Sequence, residues 1–233
     1  MSEIRVALDG PSGAGKSTVA KKVAALAHLV YVDTGALYRT VGLYMLEHGI
    51  SELDGDSIVA ALPDVKIRLA YEDGVQKVYL GGEDVGDKIR TEKASVYASA
   101  VSKIPEVRQF LLGMQRKLAD EGGVIMDGRD IGTVIMPDAE VKVFMTASDR
   151  VRAERRYNEQ RAKGLDVDFD GILEAIRARD KQDAERDTAP MKPADDAVIF
   201  SNDNMNIDES AEYILSLIEK ARGKTNNNGE DKK

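Results

Sequence analysis

Residues 10–17 read Gly-Pro-Ser-Gly-Ala-Gly-Lys-Ser, directly behind the apolar run Ile4–Leu8. A G-x-x-x-x-G-K-S loop between a strand and a helix leaves a chain few ways to fold. Gly10, Gly13 and Gly15 carry no side chains, so the backbone can turn tightly and aim its N–H groups at one point. The apolar spacing of Val19, Val23, Leu26 and Ala27 predicts a helix behind the loop with one buried stripe, and with Lys21 and Lys22 on its wet face. Its unpaired first-turn N–H groups and the positive end of its dipole add to the same anion site. Lys16 would reach the terminal phosphates of a nucleoside triphosphate. Gly10, Pro11, Ser12, Gly13, Ala14, Gly15, Lys16, Ser17 and Thr18 are therefore the candidate triphosphate site. An incidental lysine after a glycine-rich turn would leave the flanking strand and helix unexplained.

Further apolar runs at Leu29–Val32, Val124–Met126, Val141–Met145 and Ala197–Phe200 alternate with helical patterns. That rhythm predicts an α/β fold, a parallel sheet covered by helices on both faces. One stretch breaks it. Residues 65–71 and 77–80 alternate around Glu72-Asp73-Gly74, a hairpin signal, so residues 62–90 read as a small antiparallel insert. The alternative is an edge hairpin continuing the main sheet. The 233 residues fit one domain with insertions, and the residues beyond 222 have little to bury, so 223–233 is expected to be a disordered tail. A net charge of −8 disfavours a long nucleic-acid surface. The absence of cysteine excludes disulfides and thiolate metal sites. With no leader pattern and no apolar run near the roughly 20 residues that cross a bilayer, a cytoplasmic protein without membrane contact is expected. The only histidines, His28 and His48, fit helix ends better than a catalytic centre.

Three constellations accompany the loop. Asp33-Thr34-Gly35 closes the second strand, with Tyr38 and Arg39 behind it; strand ends in a parallel sheet face the ligand crevice, which would set Thr34 and Arg39 toward the same crevice as Lys16. Otherwise Thr34 is a helix cap and Arg39 a solvated side chain. Asp127-Gly128-Arg129-Asp130 closes the Val124 strand, where an acidic residue can hold magnesium's water shell and an arginine can clamp a phosphate. Eight of the 16 arginines lie between positions 150 and 186, where lysine is scarce. Guanidinium forks match phosphate geometry. With Gly164 at a turn between two helices, this segment reads as a mobile lid that closes Arg152, Arg155, Arg156 and Arg161 over a triphosphate. Acidic neighbours such as Glu154, Glu159 and Asp180 could instead pair them on a solvated hairpin.

These residues together resemble the bacterial cytidylate kinases, nucleoside monophosphate kinases of the P-loop class. The likeness rests on Asp9–Ser17, Asp33–Arg39, Asp127–Val134, Ile104–Arg108 and Arg186–Pro190, in order along nearly the whole chain. It implies a single P-loop kinase domain over 1–222, with a core (about 1–60, 91–147 and 190–222), a β insert (62–90) in the monophosphate-binding region and a lid (148–189). It implies transfer of the ATP γ-phosphoryl group to CMP or dCMP, with Mg2+ on Ser17 and on Asp33 or Asp127 through water. Lys16, Arg156 and Arg186 would be catalytic. Thr34, Arg39, Ser99, Arg108, Asp130, Arg179, Asp183 and Arg186 would bind the cytidylate, with Ser99, Arg108 and Asp130 at the base and Asp183 near the sugar. Thr34 stands where serine is common in relatives, and the hydroxyl is kept. The partners implied are small molecules alone, and the enzyme a monomer. A kinase for UMP or for a small metabolite is the nearest alternative. A guanine-nucleotide switch lacks its N-K-x-D motif here.

Overall fold

The computed structural model describes residues 4–72 and 75–230, which fall into two compact units. One unit combines the residues up to Val30 with those from Glu121 onward, and the other is Tyr31–Asp120. Along the chain, β1 (Arg5–Asp9) and α1 (Lys16–Ala27) lead to β2 (Val30–Asp33). The second unit follows with α2 (Thr34–Glu47), α3 (Gly55–Ala61), β3 (Ile67–Glu72), β4 (Val75–Leu80), β5 (Glu83–Asp84), α4 (Glu92–Val101) and α5 (Pro105–Asp120). The chain returns through β6 (Val124–Gly128), one π-turn at Ile131–Ile135, β7 (Val141–Thr146), α6 (Asp149–Ala162), α7 (Phe169–Glu185), β8 (Val198–Ser201) and α8 (Ile207–Glu230).

Five strands form a parallel sheet in the order β2-β6-β1-β7-β8. The strands expected from the apolar runs sit within one or two residues of where the sequence puts them. Strands β1 and β6 are buried along almost their whole length, as an uninterrupted apolar run suits, while the edge strands β2 and β8 are partly open. Register matters for function. Asp9 pairs with Gly128 and Phe144, so β1, β6 and β7 end together and release their loops at one edge. Strands β3, β4 and β5 form a separate antiparallel sheet rather than an edge of the main one. Asp73 and Gly74, the expected hairpin turn, lie outside the described residues.

In the Tyr31–Asp120 unit, Leu37, Val41 and Met45 of α2 pack with Ile58, Val101, Val107 and Leu111. Gly42 is where α4 crosses α2: a Cβ there would stand 2.8 Å from the Tyr97 Cβ and 3.0 Å from the Ala98 nitrogen. His28 and His48 do cap the ends of α1 and α2, and His48 stacks on Tyr44. Helix α8 is assigned as far as Glu230, within the 223–233 stretch expected to be a disordered tail. Ile214 and Ile218 of α8 are fully buried. No helix among the described residues is long and apolar enough to cross a membrane.

Candidate active site

The loop from Gly10 to Gly15 adopts backbone that only glycine takes easily, with φ of 144° at Gly10, 79° at Gly13 and 91° at Gly15. Gly10 has a second reason to be glycine, since a Cβ would lie 2.0 Å from the Met145 carbonyl oxygen. Helix α1 starts at Lys16 with no side-chain cap and no acidic residue in its first turn. Its leading N–H groups are thus left to an anion. Lys16 is buried, and its Nζ donates to the Pro11 carbonyl at 2.8 Å. Burial, seconded by the Arg129 charge, pushes the Lys16 ammonium down to about 7, against the pull of Asp127, Asp9 and Asp183.

Ser17 Oγ donates to Asp127 Oδ2 at 2.5 Å, which sets a hydroxyl beside a carboxylate at the end of β6. Both are hard oxygen donors of the kind that suit magnesium, so this pair fits that ion. Asp33, the other metal candidate, has both oxygens engaged: Oδ1 caps α2 through the Ala36 N–H and Oδ2 takes Arg39 at 2.6 Å.

Beyond β6, two arginines and two aspartates interlock. Arg129 Nε donates to Asp183 Oδ2 at 3.1 Å, and Arg186 Nη2 to Asp130 Oδ1 at 3.4 Å. A second Arg186 nitrogen stands 4.0 Å from Asp183 Oδ1, while its Nε holds the Ala189 carbonyl at 2.6 Å. The Asp130, Asp183 and Arg186 side chains are almost wholly buried. Arg179, also on α7, lies one turn before Asp183. Of the expected acceptor residues, Asp130, Asp183 and Arg186 are therefore brought into direct contact.

The α6 arginines divide. Arg152 is 4% exposed and Arg155 half-buried, and both donate to carbonyls of the phosphate loop. Arg156 is half-buried and makes no ion pair among the described residues. Arg161 is exposed, 3.7 Å from Asp166. In the other unit, Thr34 is buried as the first residue of α2, so Asp33 and not Thr34 is the cap. Arg39 is held by Asp33 rather than solvated. Arg108 of α5 is buried, donates to the Ser102 carbonyl at 3.2 Å and lies 5.5 Å from the centre of the Tyr38 ring. Ser99 is half-buried on α4, with its carbonyl accepting from the Ser102 hydroxyl.

With this geometry in hand, comparison with known proteins decides the family. The family model for cytidylate kinase matches residues 6–220. A cytidylate kinase of Caldicellulosiruptor bescii is 47% identical over 220 residues, 94% of this chain and 97% of that one. One from Exiguobacterium sibiricum is 46% identical over 221 residues, 95% and 99% of the two chains. This chain belongs to the cytidylate kinase family. A crystal structure of an uncharacterized protein from Eubacterium ventriosum shares the fold at TM-score 0.52 and 13% identity, covering 93% of this chain and 99% of that one.

For this member of the family, some residues at the site carry no expected role from sequence. Asp9 is buried, and its carboxylate takes the N–H groups of Ile131 and Gly132, each at 2.8 Å. Burial pushes it up to about 6, those two bonds working against the rise. Asn202 donates to the Ala14 carbonyl at 2.9 Å. The signal both share is position: each is a polar residue at the carboxyl end of a strand of the main sheet, as Thr34 and Asp127 are.

Proposed function

We propose that this chain transfers the γ-phosphoryl group of ATP to the phosphate of CMP and dCMP, forming the diphosphates. The observation that carries the reading is the uncapped α1 terminus with buried Lys16, in a chain that matches the cytidylate kinases from residue 6 to 220. The attacking group is already an anionic phosphate oxygen, so no strong general base is needed. The work is in-line positioning and neutralisation of charge spread over the transferring group. Lys16 supplies a buried cation. Burial lowers its proton affinity, and the charge of a nearby triphosphate would favour the ammonium again. Ser17 and Asp127 would hold Mg2+, which supplies charge neutralisation between the phosphates.

On the acceptor side, the reading assigns Thr34 to the cytidylate without a narrower role, Arg39, Arg179 and Arg186 to its phosphate, Ser99, Arg108 and Asp130 to the base, and Asp183 to the sugar. Asp130 and Asp183 hold Arg186 and Arg129 aimed before any ligand arrives. A guanidinium fork fixed in this way takes a phosphate at small entropic cost. Residues 148–189 are read as a lid that excludes water, with Arg156 reaching the transferring phosphoryl group, and residues 62–90 as an insert on the acceptor side. The chain is read as a cytoplasmic monomer acting on small molecules alone.

The test is a coupled assay offering CMP, dCMP, UMP, AMP and shikimate with Mg-ATP. CMP and dCMP are expected to be the preferred acceptors. A clear preference for any of the other three overturns the assignment of the base contacts.

A further inference from the structure

A loop that turns its N–H groups inward toward an anion turns its carbonyl oxygens outward. Two of those outward carbonyls are held by arginines of α6. Arg152 donates through Nη1 to the Ser12 oxygen at 3.0 Å and through Nε to the Ala147 oxygen at 2.9 Å. Its Nη2 pairs with Asp180 of α7 at 2.5 Å. Arg155 donates through Nη1 to the Ala14 oxygen at 3.2 Å and through Nη2 to the Asn202 oxygen at 3.1 Å, while the Asn202 amide holds the same Ala14 oxygen. The Ser12 carbonyl shares a peptide unit with the Gly13 N–H, and the Ala14 carbonyl with the Gly15 N–H. A donor on a carbonyl polarises the peptide and strengthens the N–H at its other end.

We propose that Arg152, fixed by Asp180, and Arg155, fixed with Asn202, are positioning residues for the phosphate loop. They set the direction and strength of its N–H donors and do not grip the triphosphate. Three facts support this for Arg152. It is 4% exposed, each of its three nitrogens has an acceptor, and the Ser12 contact links positions 140 residues apart. Asp180 is committed to it in turn, since its Oδ1 is buried with no hydrogen bond and Oδ2 meets Arg152. The inference deepens the nucleotide-binding reading above and rests on it. It also leaves Arg156 as the α6 arginine available to the transferring group.

Calorimetric binding of ADP to the full chain separates the two roles, because ADP fills the loop but lacks the transferring group. Arg152→Met and Asp180→Asn are each expected to raise the ADP Kd about tenfold, the scale of one buried charge-assisted hydrogen bond. Arg152→Lys keeps the charge without the fork and should follow Arg152→Met. The Arg152→Met/Asp180→Asn double variant should bind no more weakly than Arg152→Met, since both changes remove one unit. At saturating ATP and CMP, kcat should stay within about threefold of the parent. A residue that only stabilises the fold would lower Tm and leave the ADP Kd of the folded protein unchanged. The proposal is overturned if Arg152→Met cuts kcat while the ADP Kd holds, which would make Arg152 a ligand of the transferring group. It is equally overturned if Asp180→Asn leaves ADP binding intact. Should Arg152→Met fail to fold, Asp180→Asn, of nearly unchanged volume, decides alone. A parent protein that does not bind ADP would instead remove the nucleotide reading itself.

Discussion

Asp9→Asn separates the cost of burying a charge from the gain of bracing a loop. In the folded protein the Asp9 carboxyl is pushed up to about 6 by burial, from an ordinary 3.8. Its folded value lies above its unfolded one, so the folded state keeps the proton through that window. The group therefore favours folding most below about pH 4, and the contribution falls as pH rises, levelling off above about pH 6. At about 1.4 kcal/mol per tenfold in proton affinity, the fall from burial amounts to about 3 kcal/mol. Asparagine does not titrate, so the variant loses that slope. At neutral pH two terms then oppose each other. The variant is relieved of the buried charge, about 3 kcal/mol, but one of the two N–H groups, of Ile131 or Gly132, now faces an amide NH2, costing about 1–3 kcal/mol. Urea unfolding of parent and variant across about pH 4 to 7 should show near-equal stability at the upper end. The parent should lead by about 2 to 2.5 kcal/mol more at the lower end, pH 4 lying just above the ordinary carboxyl value. A difference that does not move with pH would refute the argument.

Lys16→Ala is expected to abolish turnover in a coupled assay of diphosphate formation, because the transferring phosphates lose their buried cation; near-normal activity would sink the mechanism. Arg186→Ala should cut kcat/KM by about a hundredfold or more and Arg222→Ala by less than about threefold. Arg186 is buried against Asp130, whereas Arg222 only holds the Ala27 carbonyl at the end of α1; equal losses would count against Arg186 in the site. Gly10→Ala should lose ADP binding or fold poorly, since its Cβ would stand 2.0 Å from the Met145 oxygen at a φ of 144°; unchanged ADP calorimetry would show that β7 can yield there.

How far the site could be read beforehand follows from what each residue depends on. The phosphate loop depends on local chain: three glycines, a strand before and a helix after, and all of it stands where the pattern puts it. Asp127 depends only on closing a buried strand, and the parallel register beside Asp9 brings it to Ser17. The arginines depend on something else, the rotation of α6 about its axis and what lies across from it. Sequence spacing sets Arg152 and Arg156 four apart on one face, which reads as a pair acting together. Yet Arg152 is buried against the loop and Asp180, Arg155 joins it on a neighbouring carbonyl, and Arg156 makes no such contact. Nothing in the count of arginines distinguishes a guanidinium that faces a phosphate from one that faces the back of the loop that binds it. Both tasks call for the same planar fork of donors, one against anionic oxygens and the other against peptide oxygens. Arginine enrichment near a phosphate loop therefore marks the neighbourhood of the chemistry, and only the acceptor opposite each fork assigns the role.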